Sequence, residues 1–235
     1  MGLAQRTVLV FDTDGTLLDA RSAVVDAVAE GLGETYRHFD LPVPALDRDR
    51  IAAAIGLPSS RFFRDVYPPA SVPAELTDRF VGEFEVRSTR CEVAALRRGA
   101  TELFAGVEET LARLRERGHP LMLFSNAQAS YFDAVVETHG LRRFFDRALS
   151  LEEAVRRRVA RDKAGMVRHL CDAFPRAVVI GDRVHDVEAG RACGAKTVGC
   201  LYGFGDQDEL AAADWRVSVP SSILDLPLAA RESAD

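Results

Sequence analysis

Near its start the chain reads Val8-Leu-Val-Phe-Asp-Thr-Asp-Gly-Thr-Leu-Leu-Asp19, which sets Asp12 and Asp14 one residue apart where an apolar run meets a glycine. Two carboxylates at the tip of a buried strand repel each other unless a positive charge lies close by. Two readings are open. Asp and Gly are ordinary turn residues, so the pair could sit in a solvated turn. Alternatively it holds a cation and does chemistry with both acids. Other polar groups stand at similar junctions: Leu121–Phe124 runs into Ser125-Asn126, and Ala177–Ile180 into Gly181-Asp182, with Asp186 four residues beyond. Three apolar runs that all stop at carboxylates or hydroxyls are more than turns alone account for.

The elements that must position these residues follow from hydrophobic spacing. Thr7–Phe11, Leu121–Phe124, Ala177–Ile180, Thr197–Leu201 and, more weakly, Arg216–Val219 read as strands. Helical spacing fills Val107–Arg117, Ser130–His139, Lys163–Ala173 and Val184–Cys193, and Gly118, Gly140 and Gly194 act as stops. Strands apolar throughout, alternating with helices, predict a parallel sheet covered on both faces, with ligands at the carboxyl ends of the strands. The fold expected is α/β, a Rossmann-like parallel sheet sandwiched by helices. Residues 20–99 break the alternation. They hold helical stretches (Ser22–Phe39, Arg48–Ile55, Leu76–Arg98), proline-rich joins and no clear strand. The expected organisation is a core of residues 1–19 and 100–235 with a helical unit, 20–99, inserted after the first strand; Asp19 is expected to cap its first helix, and the closing RESAD to fray.

Composition narrows the function. The 235 residues are 47% apolar and 28% charged, with net charge −6, which argues against a general nucleic-acid binder. Four cysteines without paired spacing read as reduced thiols. No window is apolar enough to span a bilayer and no apolar signal region precedes the first strand. A cytoplasmic protein, monomer or homodimer, with no nucleic-acid or membrane partner is expected.

The D-x-D-G pattern does not suit a calcium-binding EF-hand loop. That loop needs a ligand at Thr16, glycine at Leu17 and glutamate at Ala23, and it follows a helix. A bacterial receiver domain also gathers acids, but its first-strand acids are adjacent and it carries no helical insert. FDTDGTLLD, then SNA at 125–127, Lys163, and GDRVHD at 181–186 resemble the four ordered motifs of the haloacid dehalogenase superfamily. The segment VVIGDRVHDVEAGRACGAKTVGCLYGFGDQDEL looks like its phosphoglycolate-phosphatase-like branch. The insert is similar to that family's helical cap.

The resemblance implies a Mg²⁺-dependent phosphatase acting on a small phosphate ester, phosphoglycolate-like or related, through an aspartyl-phosphate. By resemblance, Asp12 is the nucleophile and Asp14 the acid/base. Mg²⁺ would be held by Asp12, the Asp14 backbone carbonyl, Asp182 and Asp186. Ser125, Asn126 and Lys163 would contact the phosphate, with Thr16 a further substrate contact. Lys163 is one of two lysines among 30 basic residues, at a position where the family uses a point charge that Arg's planar fork does not reproduce; Arg161 is the fallback. The segment Ile55–Phe63 resembles the family's substrate-facing cap loop, which makes Arg61 a candidate anion contact. A phosphomutase of the β-phosphoglucomutase type, a pyrophosphatase and a non-catalytic binding module are the alternatives.

Overall fold

The computed structural model describes residues 6–228; MGLAQ at the start and RESAD at the end lie outside them. In chain order the elements are β1 (Thr7–Phe11), β2 (Leu18–Asp19), α1 (Arg21–His38), α2 (Arg48–Ala54), α3 (Ser59–Asp65) and α4 (Thr77–Arg97). Then follow β3 (Glu102–Leu103), α5 (Val107–Glu116), β4 (Leu121–Ser125), α6 (Ala129–Thr138), β5 (Arg147–Ser150) and α7 (Leu151–Arg156). The chain closes with α8 (Lys163–Cys171), β6 (Arg176–Gly181), α9 (Val184–Ala192), β7 (Lys196–Cys200) and β8 (Trp215–Val217).

Six strands form one sheet in the order β5-β4-β1-β6-β7-β8, every neighbouring pair parallel. The first strand is central, with Leu9 opposite both Leu121 and Val178. Side chains alternate across it. Val8 and Val10 join Met122, Phe124 and Val179 in a core under α8 and α9. Leu9 and Phe11 join Leu121, Leu123, Val178 and Ile180 in the core under α5 and α6. All five residues of β1 are buried, which is why its sequence shows no polar alternation. The chain moves from β1 to β4 on one side and later to β6 on the other. The carboxyl end of β1 therefore lies at the point where strand order reverses, the usual crevice of such sheets.

The four helices α1–α4 lie between β2 and β3, which pair antiparallel as Leu18 with Leu103 and Asp19 with Glu102. Entry to and exit from the helical unit are thus side by side. Within it α1 and α4 pack closely: a Cβ on Gly31 would lie 2.5 Å from the Ser88 hydroxyl, and Tyr36, Phe63, Tyr67, Phe80 and Phe84 stack edge-on or tilted behind them. Asp19 does not cap α1; Ala20 occupies that place without a side-chain bond, because Asp19 is held in β2. The strand β5 and the short helices α3 and α7 had no clear sequence signal. Arg147 and Ala148 interrupt the apolar run of β5, and six or seven residues are too few to show a helical period. Among the described residues no helix is long and apolar enough to cross a membrane. The four cysteines are free thiols.

Candidate active site

The loop after β1 is tied down on all sides. Asp12 N–H donates to the Ile180 carbonyl on β6 (2.9 Å), and the Thr13 hydroxyl donates to the Phe124 carbonyl on β4 (3.0 Å). Gly15 turns the chain at φ +81°, a left-handed conformation that a side chain would strain. The same glycine makes room for a neighbour: a Cβ there would lie 2.1 Å from Asp182 Oδ2.

Lys163, at the first position of α8, is the hub of the acidic cluster. Its Nζ lies 2.8 Å from Asp12 Oδ1 and 2.6 Å from Asp186 Oδ1, with the Phe124 ring 4.9 Å away. Asp162 caps the helix through Gly165 N–H (2.6 Å), which fixes where Lys163 starts. Arg161, the fallback for this role, is exposed. The loop after β6 supplies Asp182, which accepts from the Thr16 hydroxyl (3.0 Å) and Phe204 N–H (2.8 Å), and Asp186, whose Oδ2 accepts from Arg183 N–H (3.0 Å). Asp12, Asp182 and Asp186 are all buried and offer carboxylate oxygens within 4.8 Å of one another.

Three carboxylates gathered around one ammonium leave the cluster short of positive charge. Burial drives Asp12 well above the usual carboxylate range; Lys163 opposes this, and Asp186 and Asp182 add to it. Asp182 is pushed to about 7, first by burial and then by Asp186, against the Phe204 N–H, Lys163 and Thr16. Burial would lower Lys163, but Asp12 and Asp186 outweigh it and hold the ammonium above its ordinary value. Asp14 differs from its neighbour. Its Oδ1 accepts from the Tyr131 phenol (2.7 Å), and burial raises it to about 6 despite Tyr131 and Lys163.

Asp12, Asp14 and Lys163 open onto one cavity of about 70 Å³, lined from the sheet side also by Ser125 and Asn126 and from the helical unit by Ile55, Phe62, Phe63 and Glu92. Ser125 Oγ accepts from Ala127 N–H (3.0 Å). Asn126 Nδ2 donates to the Gly56 carbonyl (2.8 Å) across the cavity mouth, while its buried Oδ1 has no partner. Arg183 makes a second link: its guanidinium donates to the carbonyls of Ile55 and, at 3.4 Å, Ala53, and to Glu209 at 2.7 Å.

Two sequence expectations need correction. Arg61 points outward, pairs with Asp65 (3.2 Å) with its side chain 68% exposed, and does not line the cavity; its neighbours Phe62 and Phe63 take the inward positions on α3. The Thr16 hydroxyl is spent on Asp182 rather than facing the cavity. The Asp14 carboxylate lies outside the acid triad. Glu92 on α4 and Tyr131 on α6 are cavity residues that the sequence did not single out. Glu92 is one of several acids along α4, and Tyr131 carries no motif.

A family model for haloacid dehalogenase-like hydrolases matches residues 7–194. The chain belongs to the haloacid dehalogenase-like hydrolases. Among curated relatives, the phosphoglycolate phosphatase of Synechococcus elongatus is 30% identical over 92% of this chain and 94% of its own. The 5′-nucleotidase of Pseudomonas aeruginosa is 27% identical over 87% and 86%. A solved haloacid dehalogenase-like hydrolase from Streptococcus pneumoniae, 19% identical, superposes with TM-score 0.72 over 94% of this chain and 98% of that one. This hydrolase is a phosphatase.

Proposed function

We propose that the chain is a Mg²⁺-dependent phosphomonoesterase that works through a phosphorylated Asp12, with residues 1–19 and 100–235 as its core and 20–99 as a cap. The observation that carries this reading is the contrast between two carboxylates in one cavity: Asp12 pairs with Lys163 within the acid triad, whereas Asp14 sits apart against Tyr131. Paired titratable groups in different surroundings are how a site divides nucleophile from acid.

A cation fits the donor set. The triad is all oxygen and has more negative charge than Lys163 can neutralise, and side-chain-free backbone at Gly15 and Gly203 brackets Asp182. Such a set suits a hard ion. Asp12, Asp182 and Asp186 would hold Mg²⁺ with the Asp14 carbonyl. When bound, it would offset the charge of the triad and of the phosphate.

The residues divide the work as follows. Lys163 holds Asp12 ionised and aimed. Ser125 and the Asn126 N–H donate to the phosphate oxygens, stabilising charge that spreads over them in the transition state. An Asp12 oxygen attacks phosphorus, the ester P–O bond breaks, and the alcohol leaves with the proton of Asp14. Water then attacks phosphorus and gives its proton to Asp14; the Asp12–phosphorus bond breaks and inorganic phosphate departs.

A panel of phosphate esters assayed with Mg²⁺, and with EDTA as control, tests this. Turnover that needs Mg²⁺ and is lost in Asp12→Asn and in Asp14→Asn, both still folded by circular dichroism, is expected. Full activity in either variant would overturn the assignment.

A further inference from the structure

Gln128 stands just before α6, at a position where a short polar side chain usually accepts from the first turn of its own helix. It makes no such bond. Glu152 on α7 takes that part instead, accepting from Ala129 N–H at 2.8 Å. The Gln128 amide is therefore spare, and its Nε2 donates to Glu85 Oε1 on α4. Asn126 behaves alike two residues earlier, donating to the Gly56 carbonyl at 2.8 Å. The segment 125–128 thus sends side-chain amides from the sheet to two separate parts of the helical unit, the join between α2 and α3 and the middle of α4. Both amide residues line the cavity, and Glu85 lines the neighbouring groove beside Glu152.

Glu85 is an unusual partner for a tie of this kind. Burial, and then Glu152, raises its carboxyl above the ordinary value. The nearby acid Glu83 on the same helix pairs with Arg87, whereas the Glu85 carboxylate meets the neutral amide of Gln128. A neutral amide gives a carboxylate direction rather than charge balance, so the contact is suited to fixing geometry. The segment it fixes carries Ser125 and the Asn126 N–H, the proposed phosphate donors. Small displacements of such donors weaken their hold on charge that develops in the transition state.

We propose that Gln128 is a positioning residue: through Glu85 it clasps the phosphate-binding segment to the helical unit and so holds Ser125 and the Asn126 N–H in place for phosphoryl transfer. This rests on the phosphatase reading above. Gln128 touches no reacting atom in that reading and acts through the segment it anchors.

The test is a double-mutant cycle on the Mg²⁺-loaded enzyme with 4-nitrophenyl phosphate. Gln128→Ala and Glu85→Ala, each still folded by circular dichroism, should both lower kcat/KM by about tenfold, the worth of one hydrogen bond to a charged group. The double alanine variant should fall no further than either single one. Exchanging the two side chains, Gln128→Glu together with Glu85→Gln, keeps a carboxylate facing an amide and should recover most of the activity. Gln128→Glu alone sets two carboxylates face to face and should not. Single effects that simply add, or an exchange no better than Gln128→Glu alone, overturn the clasp, since a merely structural role at either position would not be rescued by its partner. A wild type that leaves 4-nitrophenyl phosphate intact overturns the phosphatase reading, and the positioning role with it.

Discussion

The phenol of Tyr131 donates to Asp14 Oδ1 at 2.7 Å, within the cavity that Asp12 and Lys163 share. The bond fixes one oxygen of Asp14 and, in the proposed mechanism, leaves the other to carry the proton that the leaving alcohol requires. It also lowers the pKa of a carboxyl that burial has raised to about 6. Removing it in Tyr131→Phe should move the alkaline limb of the kcat/KM profile to higher pH, since Asp14 then keeps its proton longer. It should also cost roughly tenfold in kcat, about the worth of one hydrogen bond to a charged group. A pH profile that does not move would show that the phenol does not act on Asp14.

Mg²⁺ should stabilise the protein more as pH rises. Without metal, the raised Asp182 carboxyl gives stability that is full below its unfolded value near 3.8 and is lost as pH climbs through about 7. Mg²⁺ binds the ionised carboxylates, so its affinity grows over the same range. Thermal melts with EDTA and with excess Mg²⁺ should therefore diverge between pH 5 and 8 (a range of about three units around that titration), the gap widening upward. A gap that is constant or narrows with pH would place Mg²⁺ elsewhere.

Arg183 ties the loop carrying Asp182 to the end of α2 through the Ala53 and Ile55 carbonyls, which are acceptors that a helix C-terminus leaves open. Arg183→Gln should loosen the cap against the core. Expected are a loss of about tenfold in kcat/KM, about 1.4 kcal/mol, and faster amide exchange in residues 51–57. Unchanged exchange with unchanged kinetics would count against the link.

Glycines separate by what surrounds them. A Cβ on Gly203 would lie 2.3 Å from Asp182 Cβ and from the Gly15 carbonyl, so Gly203→Ala must displace Asp182 and should weaken Mg²⁺ binding by about tenfold or more. Gly82, within α4, has nothing within 4 Å. Gly82→Ala should raise stability by about 0.5–1 kcal/mol. Calorimetric Mg²⁺ titration and thermal melts of the two variants check both.

Much of this was legible in the sequence because the chemistry sits at strand ends. An apolar run that stops at Asp12, Ser125 or Gly181-Asp182 announces both the strand and its polar tip, and in a parallel sheet all such tips share one edge. Lys163 was legible through its place in a resembled family motif and a residue type rare in this chain. Glu92, Tyr131 and Arg183's reach to α2 were not, since each depends on where a helical unit comes to rest against the sheet. Nothing local distinguishes Glu92 from Glu83 on the same helix, which pairs with Arg87 instead. Arg61 shows the converse: in a seven-residue helix, one position decides whether a side chain faces the cavity or solvent, and the phenylalanines took the inward face.

The covalent step proposed on Asp12 admits a direct measurement. The Mg²⁺-loaded enzyme is mixed with a phosphate ester it turns over, quenched in acid within the first turnovers, digested, and mapped by mass spectrometry. One phosphoryl group on the peptide containing Asp12, absent in Asp12→Asn, is the predicted result. Steady hydrolysis with no phosphorylated peptide, or with the label on another residue, would contradict it.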